Sequence, residues 1–285
     1  MPQPLLLADV PWLLYRSFFA LPSSITDGDG RPVNALLGTV NALLAATAAR
    51  PSRAVVACFG AEGARYRIEL YPGYHAQRPP MPDELADQWA RAPALLEALG
   101  WTVADSDELE ADDVMFSLGR TETEAGGEAL LLTGDRDLFQ AVDDHTRVLS
   151  LGKAADPPSE IDAAEVRRRY GIDPSLVTDF IALRGDPSDN LPGAPGIGEK
   201  TARDLLLTYG SLDAAIAHAI RERPRVAAAL GDNAELLQTF KRIATLQRID
   251  LPRPPDRATD FVGGAVAAEA AGMRRLAVRL RELGG

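Results

Sequence analysis

The stretch Leu183-Arg184-Gly185-Asp186-Pro187-Ser188-Asp189-Asn190-Leu191-Pro192-Gly193-Ala194-Pro195-Gly196-Ile197-Gly198-Glu199-Lys200-Thr201-Ala202 falls into two parts with different chemistry. The first sets two carboxylates, Asp186 and Asp189, in a tight turn, a spacing that suits a hard divalent cation. The second is a Gly/Pro turn that runs into a helix carrying Lys200 and Thr201. Such a turn before a helix N-terminus offers backbone N–H groups and a positive dipole end to a phosphate. Flanked by helical stretches, it reads as a helix-hairpin-helix spanning about 174–209. Gly196 and Gly198 then permit positive φ and close approach to a phosphate, while Ile197 anchors the hairpin in the core. Contacts of that kind position duplex backbone without reading its sequence.

Upstream, short apolar runs at Leu5–Ala8, Ala54–Phe59, Trp101–Ala104, Ala129–Thr133 and Val148–Leu151 alternate with helical stretches at 12–20, 33–49, 82–99 and from Glu110. This alternation predicts an α/β fold with a mostly parallel central sheet flanked by helices. Gly152–Ser159 reads as a linker or β-excursion. Beyond it come helical stretches at 163–170, 174–183, 199–209, 212–220, 226–230 and 235–246, a break at Pro252–Pro255, and one last helix over about 265–283. Between Gly60 and Pro93 the pattern is irregular, mixing Arg, Tyr and Pro, as a flap that grips a strand by charge and stacking would be.

The chain has 285 residues and a net charge of −11. The excess is local: residues 1–150 hold 11 Lys/Arg and 22 Asp/Glu, whereas 151–285 hold 19 of each. A nucleic-acid partner would therefore rely on placed basic groups rather than on overall charge. The single cysteine, Cys58, rules out an intramolecular disulfide framework and fits a reducing cytosol as buried filler. The apolar start lacks the basic region and cleavage site of a signal peptide, and no run reaches the length of a membrane span.

Ligands of open α/β sheets sit beyond the carboxyl ends of the strands. Asp9, Asp135 and Asp137 fall at that edge, and the helix start Glu110-Ala111-Asp112-Asp113 faces it. With Asp186 and Asp189 these make eight carboxylates, whose mutual repulsion is relieved if two or more divalent ions bind. Oxygen-only ligation favours Mg²⁺ or Mn²⁺ over Zn²⁺. Two such ions can serve an in-line phosphoryl displacement.

These blocks resemble the structure-specific 5′ nuclease family, which comprises flap endonucleases and the 5′→3′ exonuclease domain of bacterial DNA polymerase I. The resemblance is carried by Leu13–Ala20, Tyr74–Arg78, Glu110–Asp113, Thr133–Asp137 and the 183–202 stretch. It implies a PIN-like nuclease core at 1–160 with a helical arch at about 61–93, and a helical DNA-binding region at 161–285. It implies that Asp9, Glu110, Asp112 and Asp113 hold one metal, that Asp135, Asp137, Asp186 and Asp189 serve a second, and that K⁺ sits at the hairpin. Arg78 matches the arch residue that contacts the scissile phosphate; Arg16, Tyr74, His75, Gly193, Gly196, Gly198, Lys200 and Thr201 are the further DNA contacts implied. The partner implied is DNA with a 5′ flap or 5′ end joined to duplex, handled by a stand-alone cytosolic monomer beside replication or repair proteins.

Three positions depart from the family pattern. Val10-Pro11 follows Asp9, Gly60 stands where the second strand ends in a metal carboxylate, and His75 replaces a lysine. A flap-recognition module with weakened or lost catalysis is therefore the alternative. A phosphatase with an Asp nucleophile would want a second Asp where Pro11 stands, and a small ribonuclease with a related sheet would lack the helical region. On the same grounds Gly60→Asp is expected to tighten the first metal site.

Overall fold

The structure is a computed structural model that describes residues 3–152 and 158–285. Five parallel strands, β1 (Leu5–Asp9), β2 (Ala54–Cys58), β3 (Thr102–Ala104), β4 (Ala129–Leu132) and β5 (Thr146–Ser150), and one antiparallel strand, β6 (Ser159–Ile161), form a sheet in the order β3-β2-β1-β4-β5-β6. β1 is central and wholly buried, and its side chains alternate between two cores. Leu5 and Leu7 point into one, Leu6 and Ala8 into the other, as the period of two in a strand requires. Burial on both faces is why β1, β2 and β4 read as continuous apolar runs.

Helices α1 (Val10–Ala20), α2 (Asn34–Ala49), α3 (Arg65–Leu70), α4 (Asp83–Ala98) and α5 (Ala111–Glu124) lie between the strands. The helical half contains α6 (Ala163–Tyr170), α7 (Val177–Arg184), α8 (Glu199–Tyr209), α9 (Leu212–Ala217), α10 (Pro224–Gly231) and α11 (Ala234–Ala244), followed by α12 (Phe261–Ala270) and α13 (Arg274–Gly284). α5 and the elements from α6 to α11 share one core, which includes Leu183, Ile197, Phe240 and the β1 residues Leu5 and Leu7. α1, α2 and α4 cover the opposite face.

The C-terminal end departs from the expected arrangement in two ways. The single last helix is two helices, because Gly272 turns the chain at φ +76° with Asp27 Cα 2.5 Å from where its Cβ would stand. The pair also leaves the helical half: Ala265, Leu276 and Leu280 pack with Leu6 and Leu99 on the far face of the sheet. An extended strap over 246–260 makes the crossing. Gln247 N–H donates to Asp113 Oδ1 (2.7 Å), Ile249 N–H to Ser117 Oγ (3.0 Å) and Arg257 N–H to Arg53 O (2.9 Å). Pro252, Pro254 and Pro255 keep this segment out of helix and sheet alike.

The irregular stretch after Gly60 holds the short helix α3, and its later part is not free: from Asp83 it is helix α4, with Leu85 and Gln88 fully buried. Gln88 Oε1 accepts from Ala35 N–H (2.8 Å), tying α4 to the start of α2. The linker reading of 152–159 falls largely on 153–157, which lie outside the described residues; Ser159 opens β6.

Candidate active site

At the carboxyl edge of β1 and β4 the sheet opens into a cleft of about 810 Å³ lined by Asp9, Glu110, Asp112, Asp135, Asp137 and Asp189. Each acid is placed by its backbone. Asp9 ends β1 and caps α1, accepting from Trp12 N–H (2.9 Å) through Oδ1 and from Thr133 Oγ1 (2.7 Å) through Oδ2. Asp112 sits in the first turn of α5. Asp135 and Asp137 follow β4, and Asp135 Oδ1 accepts the N–H of Asp137 (2.9 Å).

The protein around these groups displaces water and disfavours their charge. That burial raises Asp9 to about 6 against its hydrogen bonds from Trp12 and Thr133. It raises Asp135 to about 7, with repulsion from Asp189, Asp9 and Asp186 added. Burial and the charges of Asp135 and Asp9 push Asp112 well above the usual carboxylate range, and burial with Asp135 and Asp189 does the same to Asp137. No arginine or lysine lies within 4.0 Å of Asp9, Asp112, Asp135 or Asp137 among the described residues; the nearby Arg67 and Arg78 are spent on Asp113, Glu110 and Asp189. The acids are spread round the cleft wall, and no three of the described residues are already gathered into a cation cage. Oxygen-only donors, repelling one another and left without a counter-ion, fit hard divalent cations.

Asp113 is not among them. Its two oxygens accept a bidentate fork from Arg67 (2.7 and 2.8 Å), and Gln247 N–H adds a third bond (2.7 Å). It is completely buried and is absent from the cleft lining, so it clamps α3 and the strap to α5 rather than offering a metal ligand. Arg67 is a site residue that nothing in the sequence pattern marks out. Its guanidinium also lies 3.1 Å from Glu110 Oε1, and its Nε donates to Ile243 O (2.9 Å). Glu110 keeps its place in the cleft wall, but it accepts from Ala64 N–H (2.8 Å) and from the buried Tyr74 hydroxyl (3.0 Å).

Position 60 has a structural reason to be glycine. A Cβ there would stand 2.5 Å from Ala111 N, from Glu110 C and from Leu109 O, all backbone. The second strand therefore ends packed against the chain that delivers Glu110 and Asp112. An added carboxylate would push that chain aside before it reached a metal, so Gly60→Asp does not complete the first metal site as the strand-end pattern suggests.

The 183–202 stretch joins the cleft through Asp189, while Asp186 faces an adjoining pocket that it shares with Asp135. Asp186 accepts from Ser188 N–H (2.8 Å) and from Arg184 Nη2 (3.3 Å). Asp189 Oδ1 faces His75 Nε2 (3.1 Å) and accepts from Arg78 Nη2 (3.0 Å). His75 has φ +56° and stacks on Tyr74, and its Nδ1 faces Glu62 O (3.0 Å). Asn190, also at positive φ, donates to Gly73 O (2.6 Å). The 73–78 segment is thus docked on the acid loop rather than hanging free.

The other wall is aromatic. Trp12, Tyr15, Phe19 and Trp89 line it, and Phe19 is 72% exposed. Gly134 lies flat on the Trp12 indole, whose Cζ2 is 2.1 Å from where a Cβ on the glycine would stand, and Arg16 lies over the same ring at 5.6 Å. Periodicity places these rings on the helix face that packs inward and does not distinguish a core stripe from a cleft wall.

In the hairpin, Gly196, Gly198 and Lys200 are exposed and Thr201 is half-buried. Gly193 is buried, and its Cβ would strike Gly185 N at 2.4 Å, so it closes the α7–α8 turn instead of meeting a ligand.

The chain matches the family model of the 5′-3′ exonuclease N-terminal, resolvase-like domain over residues 4–171, and that of the 5′-3′ exonuclease C-terminal SAM fold over 172–258. It is 36% identical over 284 residues to the 5′-3′ exonuclease of Mycobacterium tuberculosis, covering 90% of this chain and 89% of that protein. It is also 36% identical over 252 residues to DNA polymerase I of Pseudomonas aeruginosa, but spans only 27% of that longer relative. Its fold is shared with the T5 D15 protein co-crystallised with metal ions (TM-score 0.73, 15% identity, 99% of both chains). It is shared too with the catalytic core of Rad2 in complex with DNA substrate (TM-score 0.65, 13% identity, 98% of this chain and 92% of that one). Over both of its halves, the chain belongs to the 5′-3′ exonuclease family.

Proposed function

We propose that this nuclease hydrolyses phosphodiester bonds at 5′ flaps and 5′ ends of duplex DNA with the help of two or more Mg²⁺ or Mn²⁺ ions. The observation that carries the reading is the set of uncompensated acids Asp9, Asp112, Asp135 and Asp137, brought to one cleft by three separate elements. Asp9, Glu110 and Asp112 would hold one ion, and Asp135, Asp137, Asp186 and Asp189 a second. Bound cations supply Lewis-acid stabilisation of the phosphate and a nucleophilic water.

The chain's own groups do the rest. Arg78, half-exposed at the cleft rim, turns its guanidinium from Asp189 to the scissile phosphate. His75 and Arg16 hold the strand beside it, and the buried Tyr74 ring backs His75. The exposed hairpin, through Gly196, Gly198, Lys200 and Thr201 with a K⁺ ion, holds the duplex backbone at a set distance. The division of labour is a nuclease core at 1–160 and a duplex-binding region centred on 174–209, in a monomer working in the cytosol with replication or repair proteins.

The test is a labelled 5′-flap duplex incubated with Mg²⁺ or Mn²⁺. Cleavage at the junction is expected. Retained binding without cleavage in either ion would leave the flap-recognition module instead.

A further inference from the structure

The hairpin between α7 and α8 has a side chain laid across it. A Cβ built on Gly196 would lie 2.9 Å from Nη2, 3.1 Å from Nε and 3.3 Å from Cζ of Arg225. The guanidinium plane therefore covers an exposed peptide whose φ, +77°, already favours glycine. Arg225 comes from another element, the first turn of α10, where Pro224 holds the preceding position.

Among the described residues no acid compensates this charge. Among the described residues Arg225 has no carboxylate within 4.0 Å, in contrast to Arg167, Arg168, Arg169 and Lys241 of the same helical half. The adjacent acid Glu222 is taken by the Tyr209 hydroxyl (2.7 Å), and Glu199, in the first turn of α8, forms no ion pair among the described residues. The first turn of a helix is also the end at which a cation is disfavoured. An arginine that is exposed, unpaired among the described residues and flat against a glycine hairpin can present its planar fork to two oxygens of a phosphate.

We infer that Arg225 is the side-chain half of the hairpin's contact with duplex DNA, binding a backbone phosphate that the Gly196–Gly198 peptides approach from the other side. The inference rests on the nuclease reading above, because it presumes a duplex. It adds a residue from α10, outside the helix-hairpin-helix, and makes Gly196 a seat for a guanidinium as well as a turn.

The test is equilibrium binding of a 5′-flap duplex in Ca²⁺ by fluorescence anisotropy, across a salt series, for the full chain. Wild type is compared with Arg225→Gln, Arg225→Lys and Arg275→Gln, the last removing an exposed charge from α13 on the far side of the sheet. Each phosphate contact contributes about 0.9 to the slope of log K against log salt. Arg225→Gln is expected to lower the slope by that one contact, so that its deficit against wild type narrows roughly threefold between about 50 and about 200 mM salt. Arg225→Lys, which keeps the point charge, restores the slope. In cleavage assays Arg225→Gln raises KM and leaves kcat unchanged. A Gln variant with the slope and affinity of Arg275→Gln overturns the inference. A wild type with no salt-dependent duplex affinity overturns the nuclease reading instead.

Discussion

Helix α5 carries acids near both ends, and two of them, Glu122 and Asp112, are treated in opposite ways. Near its C-terminal end, Glu122 is almost fully buried and gripped by two arginines: Arg53 Nε donates to Oε1 (3.0 Å), and Arg253 Nε to Oε2 (2.8 Å). Burial works against its charge, but Arg253 and Arg53 win and hold it below the usual carboxylate range. Near the N-terminal end, Asp112 has the helix dipole in its favour and is nonetheless pushed well up, by burial and by Asp135 and Asp9. The protein can place arginines on an acid when stability asks for it. It does so one residue away, at Asp113, and withholds them from Asp112. The cleft acids Asp9, Asp112, Asp135 and Asp137 are thereby left without a counter-ion among the described residues.

The contrast breaks most sharply under substitution at the open end. Asp135→Ala and Asp112→Asn are each expected to cut flap cleavage by more than about 100-fold, exceeding what the loss of an outer partner of a metal ligand costs. Binding of the same substrate in Ca²⁺ should stay within a few-fold, since the hairpin is untouched. Unchanged cleavage by both variants would remove the cleft from the reaction. At the closed end the effect should move to stability. Glu122→Gln leaves Arg253 without its partner and Arg53 with only Asp256 and Pro254 O, and is expected to cost about 3 kcal/mol in urea unfolding, the scale for breaking a buried pair. The remaining folded enzyme should cut at the wild-type rate.

Gly60→Asp sharpens the comparison from the backbone side. The Cβ must displace the Leu109–Ala111 chain, so a loss of about 1–3 kcal/mol is expected, typical of overpacking. A Mn²⁺ titration should show no tighter binding. Tighter binding with unaltered stability would mean that the loop yields and that the site wanted the missing acid after all.

These residues also show where the sequence runs out as a guide. The strands were legible because β1, β2 and β4 are buried on both faces, and the acids because they close apolar runs or open a helix. Asp112 and Asp113 are neighbours of one type in one turn, and only the fold tells them apart. The Arg67 that claims Asp113 arrives from 46 residues upstream in an unpatterned segment. Gly60 looks like a missing ligand until the backbone against it is seen. The last helix misleads because its apolar spacing runs through Gly272, and nothing local reveals that the pair beyond the proline strap returns to the other sheet face.

The smallest expected effect is on pH and works through the same open end. Asp9 and Asp135 are raised to about 6 and about 7 in the folded protein, while the unfolded chain titrates them near the usual value of 3.8. Between those limits the folded state binds more protons than the unfolded state. Without metal, stability therefore falls as pH rises from about 4 to about 7 and levels off above, by linkage. Asp135→Asn should flatten this fall and stabilise the metal-free protein at pH 8 by about 1–2 kcal/mol, since one pKa unit corresponds to about 1.4 kcal/mol and the cleft is only partly closed to water. Metal competes for the deprotonated carboxylates, so the rise in Tm on adding Mn²⁺ should be larger at pH 8 than at pH 6 in the wild type. Glu122 predicts the opposite sign for its own end: held below the usual range, its stabilising pairs persist through neutral pH and are lost only on acidification. A Mn²⁺ shift that is equal at both pH values would mean that the cleft acids are already ionised without metal, and the distinction between the two ends of α5 would be one of packing rather than of charge.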